Sequence, residues 1–244
     1  MKVLYIKRNI LLPLLCALLL ISAIVANAIA SSQPLSGKTI IVDAGHGGVD
    51  SGANRPGVIE KDINLAISLQ LRDVLTSYGA NVILSRESDI DLSKKCDNPQ
   101  VKGRYHRDLA ARVELAEESN ADIYISIHAN VSTNPRRKGP ESFYYVKSAD
   151  GKRLANLIQS EFSQMAIAQK TANPGDYFVL RRNNAAAVLI EVGYITNLPE
   201  RALLQSADYQ QKLAQAISRG ICAYYSVVPT TVNRFWTPDN NAGL

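Results

Sequence analysis

The chain has 244 residues, 46% hydrophobic and 20% charged, with a formal net charge of +5. This composition excludes a fibrous or wholly disordered chain and supplies ample apolar material for a core. Lys2, Lys7 and Arg8 contribute three of the five net positive charges, so the remainder is close to neutral and nucleic acid is not an expected partner.

Those three basic residues precede an apolar run from Ile10 to Ala30, which ends in the small-residue sites Ala26-Asn27-Ala28 and Ala28-Ile29-Ala30. A charged start, an apolar middle and a small-residue end predict a secretory signal peptide over residues 1–30. At roughly 20 residues the run is also long enough for an uncleaved membrane anchor. Either form exports the chain, so its expected place of action is outside the cytoplasmic membrane. Pro13-Leu14-Leu15 before Cys16 lacks the small residues that lipidation favours. Cys96 and Cys222 then remain, too few for a disulfide framework, and either pair or stay free.

No Pro/Gly/Ser-rich linker and no repeat divides Ser36 to Ser226, which predicts one catalytic domain over residues 35–226. Residues 227–244 lack apolar periodicity and are expected to form a loose tail, with Phe235 and Trp236 as an exception able to dock on the domain.

Lys38–Val42 reads as a buried strand running into the glycine loop Asp43-Ala44-Gly45-His46-Gly47-Gly48. Ile63, Ile67, Leu71, Val74 and Tyr78 recur at helical spacing, with Glu60 at the leading edge and Gly79 as a stop. Asn81–Ser85 is a second strand, a charged loop runs to Arg107, and Leu109, Val113 and Ala116 mark another helix. Ile123, Ile125 and Ile127 form a strand that delivers His128 and Asn130 at its end. Ser142–Val146 reads as a strand, Leu154 to Phe162 as a helix, Tyr177–Leu180 as a strand, and Val188–Ile190 as the last buried strand, ending at Glu191. Leu213, Ile217, Ile221 and Tyr224 close the chain with a helix. The alternation predicts an α/β fold with a mainly parallel central sheet flanked by helices on both faces, its ligands gathered beyond the carboxyl ends of the strands.

His46, Glu60 and His128 supply the two imidazoles and one carboxylate that a catalytic Zn2+ takes, leaving a position open for water. Glu191 emerges from an apolar strand, a costly position unless it lies near a metal or a partner, and is the expected carboxylate for proton transfer. Asp43 is a candidate acceptor for the His46 imidazole N–H. His106, among Lys102, Arg104 and Arg107, reads as solvated surface.

The segments IVDAGHGG, IEKDINLAISLQLRDVL, ADIYISIHAN and VLIEVGYITN resemble the zinc-dependent N-acetylmuramoyl-L-alanine amidases that cleave bacterial peptidoglycan. The resemblance spans Leu35 to about Tyr225. It implies that His46, Glu60 and His128 bind zinc and that Glu191 is the catalytic carboxylate. The substrate it implies is the amide between N-acetylmuramic acid and L-alanine, on glycan strands bearing stem peptides. The run from Asp91 to Glu117 most resembles the germination-specific amidases of endospore formers. That likeness implies action on spore cortex before muramic-δ-lactam formation, in the forespore intermembrane space or cortex, with an accessory spore protein as an open question. Arg112, Arg181 and Arg182 are candidates for binding the acidic stem peptide, Arg181 foremost, and Asn130 is a candidate substrate contact. Two readings compete: another zinc peptidase or deacetylase, since this donor set does not select among amides, and a non-catalytic wall-binding or regulatory module.

Overall fold

In the computed structural model, strand β1 (Thr39–Ala44) lies inside a six-stranded sheet. The described residues are 13, 15–22, 33–165 and 171–226. The expected cleavage sites before Ser31 and the tail from Val227, with Phe235 and Trp236, lie outside them. Residues 15–22 are helical and exposed, and among the described residues no helix is long and apolar enough to cross a membrane.

Seven further strands follow: β2 (Asn54–Arg55), β3 (Val58–Ile59), β4 (Asn81–Leu84), β5 (Ile123–Asn130), β6 (Glu141–Tyr144), β7 (Asn173–Pro174) and β8 (Ala186–Tyr194). β2 and β3 form a small hairpin, and the main sheet runs β4-β1-β5-β8-β6-β7. β4, β1, β5 and β8 are mutually parallel, whereas β6 is antiparallel to β8. Within residues 33–226 the α-helices are α1 (Glu60–Ser77), α2 (Arg104–Glu118), α3 (Ala149–Gln164), α4 (Phe178–Arg181), α5 (Leu198–Leu204) and α6 (Ala207–Ser226).

Side chains alternate across the strands and so build two apolar layers. Ile40, Val42, Ile125, Ile127, Val188 and Ile190 pack beneath α1, α3 and α6, while Ile41, Tyr124 and Leu189 pack against α2 and α4. With both faces covered, the central strands read as nearly unbroken apolar runs, the signature of a buried parallel sheet. The expected α/β architecture with helices on both faces is the one observed.

Several local expectations need correction. Tyr177–Leu180 is not a strand: the amides of Leu180 and Arg181 both donate to the Tyr177 carbonyl, closing the turn of α4. A short apolar run does not distinguish strand from helix by periodicity. β8 continues past Glu191 to Tyr194, so Glu191 lies within the strand. The charged loop stops at Gly103, because α2 begins at Arg104. α5 was not foreseen, although Asn197 caps it by accepting from the Glu200 amide and Pro199 sits in its first turn, a start signal present in the sequence. Cys96 and Cys222 are both free.

Candidate metal centre and catalytic cleft

The cleft opens at the carboxyl ends of β1, β5 and β8, on the sheet face covered by α2 and α4, and has a volume of about 440 Å³. His46 follows β1 in a left-handed turn at φ 60. Its Nδ1 lies 2.9 Å from Asp50 Oδ2, so Asp50 accepts the N–H and leaves Nε2 facing Glu60 Oε1 at 3.1 Å. Asp43, the acceptor expected from the sequence, instead receives the Arg112 guanidinium and the hydroxyls of Tyr124 and Ser126. The left-handed turn carries the imidazole away from β1, and Asp50 comes within reach through paired backbone hydrogen bonds between Gly47 and Asp50.

Glu60 opens α1 and is buried. Its Oε1 accepts the Ala129 amide at 3.1 Å and its Oε2 accepts the Ala53 amide at 2.7 Å, which fixes the carboxylate. His128 Nδ1 lies 3.1 Å from the same Oε1. One ligand atom from each of His46, Glu60 and His128 falls within 4.8 Å of the others, forming a group able to hold a metal ion. Two glycines make this convergence sterically feasible: a Cβ at Gly45 would lie 2.3 Å from the His128 ring, and one at Gly52 would lie 2.6 Å from both Glu60 Oε2 and His46 Cδ2.

The electrostatics fit a cation at this point. Burial opposes charge on His46, but hydrogen bonds and the charges of Glu60 and Asp50 outweigh it and raise its pKa to about 9. Burial likewise opposes ionisation of Glu60, yet the two imidazoles hold its carboxyl well below the ordinary carboxylate range. A metal would take the place of the proton that His46 shares with Glu60, with Asp50 holding Nδ1–H and so presenting Nε2 as the donor.

Glu191 is the Cα partner of His128 across the β5–β8 pair. Its Oε2 is buried with no hydrogen-bond partner among the described residues. Burial raises its pKa to about 7, with His128 and His46 opposing that shift and Glu60 and Glu141 adding to it. A carboxyl poised near neutrality beside a metal site suits transfer of a proton. Tyr177 also lines the cleft; burial, then the charges of Glu191 and Glu141, raise its pKa to about 12.

The structure therefore brings His46, Glu60, His128 and Glu191 together, with Asn130 on the cleft wall. Asn130 Nδ2 donates to Glu141 Oε2 at 3.4 Å, and Glu141 in turn accepts from Tyr194 and Arg137. The arginines differ from one another. Arg112 also lines the cleft, but it is 2% exposed and bonded to Asp43 and Asp108. Arg181 pairs with Asp176 in an adjoining groove, and Arg182 lies in another, beside Phe178. His106 is exposed on the first turn of α2. Sequence reasoning missed Asp50 and Tyr177; the spacing of four residues from His46 inside a glycine-rich turn was the available signal for Asp50.

Residues 40–223 match the family model described as N-acetylmuramoyl-L-alanine amidase. The chain is 38% identical over 197 residues to the germination-specific N-acetylmuramoyl-L-alanine amidase of Bacillus subtilis, covering 80% of this chain and 83% of that protein. Among solved structures it is similar to the CwlD amidase from Clostridioides difficile, determined in complex with the GerS lipoprotein. That match has a TM-score of 0.73 and 41% identity, over 79% of this chain and all (100%) of that one. It is also similar to the catalytic domain of CwlV from Bacillus (Paenibacillus) polymyxa var. colistinus, with a TM-score of 0.66 and 32% identity over 78% and 99% of the two chains.

Proposed function

The chain belongs to the N-acetylmuramoyl-L-alanine amidase family, and from that membership we propose that this peptidoglycan amidase is a zinc enzyme of the spore cortex. The observation that carries the zinc reading is the convergence of His46, Glu60 and His128 within 4.8 Å, beside the unpartnered carboxylate oxygen of Glu191. Two imidazoles and a carboxylate are a donor set that suits zinc and leaves a position free. Bound there, zinc supplies Lewis acidity to the scissile carbonyl and lowers the pKa of water to near neutrality.

The protein's own groups perform the rest. Asp50 fixes the tautomer and ring orientation of His46, and the Ala53 and Ala129 amides orient Glu60. Glu191 takes the proton of the attacking water and returns it to the departing alanine amine, a role suited to a buried carboxyl whose pKa burial raises. The products are a glycan with free lactyl carboxylates and an intact stem peptide with a free N-terminal alanine. Asn130 contacts substrate from the cleft wall.

Peptidoglycan lies outside the cytoplasmic membrane, so the enzyme acts there. We assign the export to residues 1–30, as cleaved signal or retained anchor. The cortex setting is supported by the germination-specific relative, and an accessory lipoprotein by the complexed state of the C. difficile amidase. Expression in a sporulating host lacking its own cortex amidase tests the setting: muramic-δ-lactam returns with the wild-type chain and not with Glu191→Gln. Failure of the wild type to restore the lactam when its own accessory lipoprotein is co-expressed, with activity on purified peptidoglycan intact, would place the enzyme on another wall.

A further inference from the structure

Arg86 follows β4 and is 2% exposed, yet no ion pair among the described residues includes it. Its partners are backbone carbonyls. Nε donates to Ala44 O at 3.0 Å, Nη1 to Ser88 O at 3.2 Å, and Nη2 to Gly45 O at 3.0 Å and to Lys61 O at 2.7 Å. Burial, followed by repulsion from Arg112, lowers its pKa below that of an ordinary arginine. Asp43, Asp89 and Asp62 favour its charge only from beyond ion-pair distance. A buried guanidinium with no carboxylate in contact among the described residues is expensive, and an apolar side chain would fill the same space at less cost if packing were its only task.

The carbonyls it holds identify a different task. Ala44 and Gly45 immediately precede His46, and Lys61 immediately follows Glu60. One planar side chain thus bridges the two segments that carry these donors. Backbone hydrogen bonds hold each segment locally, Gly47 with Asp50 in the loop and Glu60 N to Ala53 O at the start of α1, which has no side-chain cap; Arg86 ties the residues before His46 to the first turn of α1. Arg112 grips the opposite side of the same loop, donating to Ala44 O at 2.9 Å and His46 O at 2.8 Å, but it also has Asp43 and Asp108 as charge partners. Asn64 adds a lesser bridge, its Nδ2 lying 3.2 Å from Gly45 O and 3.4 Å from Glu60 Oε1.

We propose that Arg86 is a positioning residue that clamps the His46 loop to the first turn of α1, fixing the spacing of the His46 and Glu60 donors and thereby the affinity for zinc. This rests on the zinc-ligand reading above. A lysine keeps the charge but lacks the fork of N–H groups needed to span the carbonyls.

The test measures zinc affinity by competition with a chromophoric chelator, and apo-protein melting in parallel, for the wild type, Arg86→Lys, His128→Ala and Ile221→Val, a destabilised control in the distant α6. Arg86→Lys is expected to bind zinc about 10- to 100-fold more weakly, the range for lost outer contacts to a metal site, while Ile221→Val binds like the wild type. A folded Arg86→Lys protein with wild-type zinc affinity overturns the clamp. If Arg86→Lys does not fold, Arg86→Met, which fills the space without a buried charge, reads the same bridge: weaker zinc binding supports the clamp and unchanged binding overturns it. A wild type that does not bind zinc, or a His128→Ala variant that binds it equally well, overturns the ligand assignment itself.

Discussion

His128 and Glu191 are direct neighbours across the parallel β5–β8 pair, and the register of that pair shifts between His128 and Asn130. An imidazole and a carboxyl thus leave the same face of the sheet side by side, and the backbone irregularity follows where the cleft opens. Separation of metal binding from proton transfer follows from this arrangement. Glu191→Gln should retain zinc at full stoichiometry and lose about 10²–10⁴-fold in kcat. Metal analysis of the purified variant alongside its kinetics checks this, and co-loss of zinc would make Glu191 a ligand instead.

The pH profile carries the same assignment. A general base works when ionised, so kcat/KM should fall as pH drops through the Glu191 pKa. That pKa is about 7 without metal, and a bound dication draws it lower. The acid limb of the profile should therefore have its midpoint at or below pH 7, and should vanish in Glu191→Gln. A midpoint well above 7 would speak against this group.

Zinc binding should release protons. Without metal the His46 pKa lies at about 9, so at pH 7.5 the imidazole is charged and must lose its proton to ligate. Calorimetric titrations in buffers of different ionisation enthalpy should show protons released on zinc binding, the His46 share being about one per zinc at that pH and falling away above pH 9, over the proton given up by the bound water. Absence of any buffer dependence would contradict it.

Arg112 is buried in ion pairs with Asp43 and Asp108, and its loss should register as stability. Arg112→Met leaves Asp43 charged and buried, for a cost of about 3–5 kcal/mol in denaturant unfolding. Burial would raise the Asp43 pKa, but Arg112, Tyr124 and Ser126 outweigh it and hold it at about 2, against an ordinary 3.8. Because the folded value is depressed, the stabilisation is fully present above pH 3.8 and is lost as pH falls through 2. It amounts to about 2 kcal/mol. Acid-unfolding curves of the wild type should show it and those of Asp43→Asn should not.

Arg181 separates two views of substrate binding. The sequence made it the first candidate for the stem peptide, whereas in the structure it pairs with Asp176 at the cleft's edge and itself lines the adjoining groove. Arg181→Ala should change kcat/KM on peptidoglycan less than about threefold, as expected of an exposed ion pair. A larger rise in KM would restore it as a substrate contact.

The parts of the site legible in the sequence are those whose side chains interrupt apolar strands. His46, His128 and Glu191 stand at such places, and the convergence of these residues with Glu60 follows once the strands are parallel and adjacent. What remained hidden depends on local backbone direction. The left-handed turn at His46 exchanged Asp43 for Asp50 as the acceptor, and a helical turn at Tyr177 redirected Arg181. The strand bearing Glu191 ran to Tyr194 because its pairing with β5 resumes after the irregularity, with Asn130 opposite Tyr194. Arg86 gave no signal, because its partners are carbonyls of segments distant in sequence.

The most direct measurement digests purified peptidoglycan with metal-free and zinc-restored protein and identifies the soluble products by mass spectrometry. Intact stem peptides with free N-terminal alanine, released only with zinc and not by Glu191→Gln, are the predicted result. Release without any metal, zinc-dependent release of acetate, or zinc-dependent cuts within the peptide would contradict it.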